Sequence, residues 1–255
     1  MNLNQLETTA KALVASGKGI LAADESTGTI GKRFKSINLE NNEENRRAYR
    51  DLLFTTKGAA EYISGVILYD ETLRQKGLGG KSFSSMLTEQ GVIPGIKVDM
   101  GAKPLANSSK EMITEGLDGL DSRLKEYYDL GARFAKWRAV INIGSDFPTN
   151  YCIDANAEAL ARYAVLCQAA NIVPIVEPEV IMDGNHTAER CYEVTERALH
   201  SLFKSLRKHK VALSGTLLKP NMIVSGTECP KQASIQEVAD LSLKCFRNTV
   251  PAEVP

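Results

Sequence analysis

The chain has 255 residues, 43% hydrophobic and 24% charged, with 31 lysines and arginines balanced by 31 aspartates and glutamates. This composition excludes disorder and collagen-like repeats, and the zero net charge gives no general electrostatic basis for binding nucleic acid or an anionic membrane. The longest apolar runs, such as residues 172–176, are strand-sized and fall far short of the roughly 20 residues that span a bilayer.

The N-terminus has no basic segment leading into an uninterrupted apolar core, so no secretion signal is expected. Five cysteines, an odd number with no CxxC pair, read as reduced thiols of a cytoplasmic protein, and the sequons at Asn107 and Asn185 then stay unmodified. No linker rich in Gly, Ser or Pro divides the chain, which predicts a single domain over residues 1–255.

In chain order, a leading helix carries Leu6, Ala10, Leu13 and Val14 on one face and stops at Gly17. Apolar runs of strand length follow at 19–24, 63–69, 93–99, 134–141, 172–180 and 216–223, with starts about 40 residues apart. Each is apolar on both faces through most of its length, as parallel strands covered on both sides must be. The stretch QKGLGGKS at 75–82 ends like a P-loop but has Gln75 where the first glycine is required. It also stands too far from its strand to open a helix, and reads as a mobile surface loop. Helical faces appear at Leu120, Leu124 and Tyr127, at Leu160, Ala164 and Cys167, and at Cys191, Val194, Ala198, Leu202 and Leu206. A capping box of Ser234 and Glu237 announces the last helix, with Val238, Leu241 and Cys245 on one face. A helix followed by six βα units predicts an α/β fold: a TIM (β/α)8-type barrel with about six of its units present, or an open doubly wound sheet. No Gly-rich fingerprint follows the first strand, which counts against the open sheet.

Charged residues interrupt these strands at or near their C-terminal ends: Asp24 and Glu25 after GILAA, Lys97 and Asp99 in IPGIKVD, Lys136 and Arg138 in FAKWRAVI, Glu177 and Glu179 in IVPIVEPEV, and Lys219 in GTLLKPN. Strand alternation puts Lys97 with Asp99, Lys136 with Arg138, and Glu177 with Glu179 on common faces, which a closed barrel turns toward one mouth. Any one of them could be a paired structural ion. Five strands contributing together predict a catalytic site, since barrel enzymes draw their chemistry from the ends of several strands.

Lys219 follows two leucines and precedes a proline. Desolvation there, and the cations Lys136 and Arg138, favour its neutral amine, which attacks carbonyl carbon and forms a Schiff base. Glu177 and Asp24 are then placed to move the protons. With three scattered histidines and no HExxH, the expected chemistry uses no metal. Ser26 to Thr29 open a helix carrying Lys32 and Arg33, which makes either a phosphate cradle or an ordinary N-cap.

The segments ILAADESTGTIGKR, GIKVD, FAKWR, IVPIVEPE and GTLLKPN, in this order, resemble class I fructose-1,6-bisphosphate aldolases, with ENRRAYRDLL, GLDGL and ARYA between them. The resemblance implies a TIM barrel, usually a homotetramer, that reversibly cleaves fructose 1,6-bisphosphate to dihydroxyacetone phosphate and glyceraldehyde 3-phosphate with no cofactor. It implies Lys219 as the Schiff-base lysine and Glu177 as the acid/base of carbinolamine formation and dehydration, with Glu179 beside it and Lys136 assisting. Asp24 corresponds to the carboxylate that handles the proton of the cleaved carbinol. Ser26, Thr29, Lys97 and Arg138 match contacts to the substrate and its far phosphate, and Arg33 lines the same mouth. The partners are then small sugar phosphates, with no nucleic acid and no membrane. The family carries a seventh and an eighth strand and a C-terminal tail beyond the last motif found here. The alternative function is therefore a truncated, catalytically impaired barrel acting as a binding or assembly protein.

Overall fold

The computed structural model describes residues 1–108 and 110–255; Ser109, which completes the sequon at Asn107, lies outside them. Its strands are β1 (Gly19–Ala23), β2 (Ile63–Leu68), β3 (Ile93–Lys97), β4 (Ala102–Pro104), β5 (Met112–Thr114), β6 (Phe134–Ile141), β7 (Val173–Val180) and β8 (Leu217–Leu218). Its helices are α1 (Leu3–Leu13), α2 (Thr27–Ser36), α3 (Glu43–Phe54), α4 (Ala59–Tyr62), α5 (Asp70–Arg74), α6 (Phe83–Glu89), α7 (Leu120–Asp129), α8 (Asn150–Ala169), α9 (Ala188–Lys208) and α10 (Ile235–Thr249).

β4 and β5 pair as a small antiparallel hairpin, and the other strands form one sheet in the order β1-β2-β3-β6-β7-β8, parallel throughout. Sheet order equals chain order, so there is no reversal of direction of the kind that defines a doubly wound sheet. The sheet is also curled. Asp24, just past β1, meets Lys136 of β6 at 3.1 Å, although the two strands are three spacings apart, about 14 Å in a flat sheet. These are the βα units of a TIM-type barrel.

Period-two alternation separates two cores. Outward residues such as Trp137, Ala139 and Ile141 of β6 join Val176 and Val180 of β7 in a large cluster with the inner faces of α7, α8 and α9. Inward residues Ile67, Phe134, Val173, Ile175 and Leu217 form a second cluster, closed from below by Leu6, Ala10 and Leu13 of α1. Asn2 caps that helix by accepting from the Gln5 N–H, and the chain leaves it through Gly17 at φ +75°. The Phe134 ring fills the space that two glycines leave. A Cβ on Gly95 would fall 2.3 to 2.5 Å from three of its ring carbons, and one on Gly65 would meet Leu13 at 2.6 Å.

The helical faces lie where the periodicity puts them: Leu120, Leu124 and Tyr127, Leu160, Ala164 and Cys167, and all five positions read for α9 are buried. Ser234 and Glu237 form the capping box of α10. Four expectations need correction. Val14 lies past the end of α1 and is exposed, unlike Leu6, Ala10 and Leu13. The run 216–223 forms a strand only at Leu217–Leu218. Beyond it the Lys219 N–H donates to the Val176 carbonyl, Pro220 has no N–H to give, and the Val180 N–H turns to the side chain of Asn221. The connection from β3 to β6 holds the β4–β5 hairpin as well as a helix. The 75–82 loop does open a helix, because Ser82 caps α6 by accepting from the Ser85 N–H. That loop is closed by a Gly77 N–H bond to the Lys81 carbonyl, and Lys81 pairs with Glu89 at 2.6 Å, so its ammonium serves the fold.

The glycine–aromatic fit gives a test. Phe134→Ala is expected to cost about 3–5 kcal/mol in urea unfolding, and Gly95→Ala about 1–3 kcal/mol by overpacking. The double variant is expected to cost less than the sum, because removing the ring makes room for the new methyl.

Candidate active site

Above the apolar floor the same inward positions turn charged. Along β6, Phe134 is followed on its own face by Lys136 and Arg138; along β7, Ile175 is followed by Glu177 and Glu179. Lys136 is buried with its Nζ 3.1 Å from Asp24 Oδ2 and 3.0 Å from Glu177 Oε2. The other oxygen of Glu177 is 2.7 Å from Lys219 Nζ. Asp24, Lys136, Glu177 and Lys219 thus form one chain of alternating charges across the top of the sheet. Burial alone would lower the Lys136 pKa, but the two carboxylates outweigh it and the pKa is raised, so this lysine is an ammonium at neutral pH.

Lys219 departs from the expectation of a desolvated amine. Its side chain is 44% exposed, because β8 is an edge strand with no neighbour on one side. What surrounds its nitrogen is the Glu177 carboxylate.

The remaining predicted residues gather beside this chain. Lys97 Nζ donates to Asp99 Oδ1 at 2.7 Å and to the Asp99 carbonyl at 2.9 Å, while Asp99 Oδ2 accepts from the Arg138 N–H. Arg138 pairs with Glu179, whose carboxylate reaches neither Lys219 nor Lys136. Ser26 is the N-cap of α2: its hydroxyl accepts from the Thr29 N–H and lies 3.1 Å from the Thr29 hydroxyl. The N-cap of the two readings is thus present in this segment. Arg33, one turn beyond Thr29, pairs with Glu25.

A cavity of about 820 Å³ is lined by Asp24, Ser26, Thr29, Arg33, Lys97, Lys136 and Arg138. Glu177 and Lys219 do not line it. Lys219 borders a second, more apolar space of about 350 Å³ between β1 and β8, with Ile20, Ile67 and Leu217, and only Ala22 borders both. The single mouth expected from the strand ends is therefore two spaces, one bordered by Asp24 and Lys136 and the other by Lys219, that share Ala22.

Three residues at this site escaped the sequence reading of roles. Asp99 holds Lys97, Glu25 holds Arg33, and Arg50 of α3, itself buried, lies 2.7 Å from the second oxygen of Glu25. Arg46, one turn earlier on α3, makes a two-point contact to Glu71 at 2.8 and 2.7 Å. The signal was the i, i+4 spacing of Arg46 and Arg50 in ENRRAYRDLL, which sets both guanidinium groups on one helix face. Among the described residues, no group of three or more His, Cys, Asp or Glu side chains could hold a metal ion, and no helix is long and apolar enough to cross a membrane.

The model of the family "Fructose-bisphosphate aldolase class-I" matches residues 5–255. The chain belongs to the class I fructose-bisphosphate aldolases. It is 61% identical over 255 residues to a probable fructose-bisphosphate aldolase class 1 of Xanthomonas axonopodis pv. citri, covering all of this chain and 76% of that protein. A fructose-bisphosphate aldolase of Dictyostelium discoideum is 55% identical over 251 residues, covering 97% of this chain and 70% of that protein. Among solved structures, the aldolase of Plasmodium falciparum in complex with TRAP and a small-molecule inhibitor superposes with a TM-score of 0.97 at 51% identity. It covers 99% of this chain and 73% of that one. The aldolase sheet described above is thus the TIM-barrel sheet of its family over the part the two chains share.

Removing the shared cation of this aldolase tests the charge chain. Lys136→Met leaves Asp24 and Glu177 buried without compensation and is expected to lower stability at pH 7 by about 3–5 kcal/mol in urea unfolding. The raised pKa fixes the sign of the pH dependence: the lysine's contribution is fully present below 10.5 and is lost as pH rises through the higher folded value. On the alkaline side, the gap between the unaltered protein and the variant should therefore narrow as pH rises through that value.

Proposed function

We propose that this aldolase cleaves fructose 1,6-bisphosphate through an imine on Lys219, and the observation that carries the reading is the Glu177 carboxylate clasped between Lys219 at 2.7 Å and Lys136 at 3.0 Å. Glu177 takes a proton from the Lys219 ammonium, and the freed amine adds to the ketone carbon. The same carboxyl then gives its proton to the carbinolamine hydroxyl, which leaves as water, and the protonated imine forms. Asp24 takes the proton of the hydroxyl on the carbon to be cleaved. The electron pair of the broken carbon–carbon bond moves into the imine as an enamine, and glyceraldehyde 3-phosphate departs. Reprotonation of the enamine and hydrolysis of the imine release dihydroxyacetone phosphate.

Lys136 keeps its proton throughout and lowers the cost of charge on Asp24 and Glu177 in turn. Ser26, Thr29, Arg33, Lys97 and Arg138 form the seat for the far phosphate: a capped helix N-terminus with three cationic side chains around one cavity. Glu179 acts through Arg138, as the ion pair between them supports. A single domain spanning residues 1–255 is supported by the one parallel sheet and its helices. Two Arabidopsis thaliana relatives named cytosolic support a cytoplasmic location; a homotetramer belongs to the same reading by family.

The alternative is a binding or assembly protein, for which the apolar space beside Ile20, Ile67 and Leu217 would be the seat. One experiment separates the two. Borohydride reduction with fructose 1,6-bisphosphate, followed by peptide mapping, is expected to place one adduct on Lys219. Lys219→Met should abolish the adduct, and Glu177→Gln should slow its formation about 10²–10⁴-fold, the usual contribution of a general acid–base. Adduct with release of glyceraldehyde 3-phosphate supports the enzyme; adduct without release supports the alternative; an adduct on another lysine refutes the mechanism.

A further inference from the structure

We propose that Glu25 and Arg50 are positioning residues that hold the Arg33 guanidinium at the anion seat of α2, and that they thereby set the affinity for the far phosphate of the sugar. The proposal rests on the reading of Ser26, Thr29 and Arg33 as that seat.

Arg33 lies four residues beyond Thr29 in α2, so the two share a face of the helix. Helical side chains lean toward the N-terminus, which brings the guanidinium back toward the cap where an anion would sit. The positive end of the helix dipole opposes a cation there. An arginine that is 59% exposed and meets only this field would swing out into solvent.

Glu25 prevents this. Its Oε1 accepts from one terminal nitrogen of Arg33, and the other guanidinium nitrogens make no hydrogen bond to the described residues. They are free to face a phosphate. The carboxylate lies immediately before the Ser26 cap and would itself repel a phosphate if it were uncompensated. Arg50 supplies the compensation: its NH1 is 2.7 Å from Glu25 Oε2, and its NH2 donates to the Glu25 carbonyl at 3.3 Å. One carboxylate therefore bridges a buried arginine and an exposed one, and the group carries one net positive charge toward the cavity.

The two contacts differ in permanence. Glu25 and Arg50 are both nearly out of water, with side chains 9% and 4% exposed, so separating them would strand a buried charge. The contact to Arg33 is at the surface, where ion pairs are weak and adapt readily to a third partner. Arg50 thus anchors Glu25, and Glu25 presents Arg33. The second arginine of the α3 face, Arg46, fixes the same helix to Glu71 of α5, which holds Arg50 in place.

Inorganic phosphate binding, followed by 31P NMR titration of the 255-residue chain, tests the proposal. Glu25→Gln keeps the shape of the side chain and removes its charge. It is expected to weaken phosphate binding about five- to tenfold, a size set by the loss of one oriented charge-assisted hydrogen bond. Arg33→Ala should show a loss of similar size, and Glu25→Gln in the Arg33→Ala background should add little, since positioning acts only through the arginine. Arg50→Met should mimic Glu25→Gln, and Arg50→Lys should recover part of the affinity. Equal or tighter phosphate binding in Glu25→Gln would overturn the proposal, because it would mean that the carboxylate acts as a repelling charge. So would effects of Glu25→Gln and Arg33→Ala that multiply. Borohydride trapping on the unaltered chain reports separately on Lys219: a missing adduct with the phosphate results intact would refute the imine and leave this proposal standing.

Discussion

The Lys136 ammonium, buried between two carboxylates that come from opposite parts of the sheet, is the contact on which the rest of this structure depends. Asp24 follows the first strand and Glu177 lies in the fifth strand of the sheet, and both reach the same nitrogen at about the same distance. A flat sheet could not bring them together, so the ion cluster and the curvature require each other. Taking three charges out of water is costly unless the geometry is good. Alternation of sign along Asp24, Lys136, Glu177 and Lys219 supplies that geometry, with each buried charge flanked by its opposite.

The cluster constrains the packing beneath it. The inward faces of β6 and β7 hold large apolar groups at the bottom and charge at the top. Phe134 and Ile175 lie two residues before Lys136 and Glu177, on the same faces. The interior at that level is narrow, which explains why β2 and β3 carry glycine at positions 65 and 95 opposite the Phe134 ring. Leu6, Ala10 and Leu13 of α1 seal the floor from water. A chain that loosened this layer would hydrate the ion cluster and weaken every electrostatic interaction within it.

Much of this was legible in the sequence because it repeats. Helix faces declare themselves by a period near 3.6 and buried strands by unbroken apolar runs, and the charges inside those runs were visible as exceptions to burial. What remained illegible depends on pairs distant along the chain. That Asp24 meets Lys136, 112 residues away, follows from the curl and from no local pattern. The run at 216–223 has the apolar character of a strand, yet an edge position, a proline and the Asn221 side chain end its ladder early. The exposure of Lys219 has the same origin: flanking leucines predict burial only where a neighbouring strand covers them. Arg46 and Arg50 carried a spacing signal on α3, but only the fold reveals that Arg50 reaches Glu25 at the top of β1.

In the proposed mechanism, the alternating cluster also accounts for how a lysine whose nitrogen rests on a carboxylate can act as a nucleophile. Passing a proton from Lys219 to Glu177 turns an ion pair into a neutral pair, and the cluster of four side chains keeps its net charge. The neighbouring Asp24–Lys136 pair is neutral before and after, so no buried charge is stranded by the step. An isolated lysine would have to discard its proton to water against its ordinary preference for the charged form. Here the acceptor is already in hydrogen-bond contact, and the same acceptor is in position to return the proton to the hydroxyl that must leave. Lys136 lies 3.0 Å from the second oxygen of that acceptor, and its raised pKa keeps it from competing for the role. The division of labour among two lysines and two carboxylates thus follows from which of them are buried and which share an oxygen.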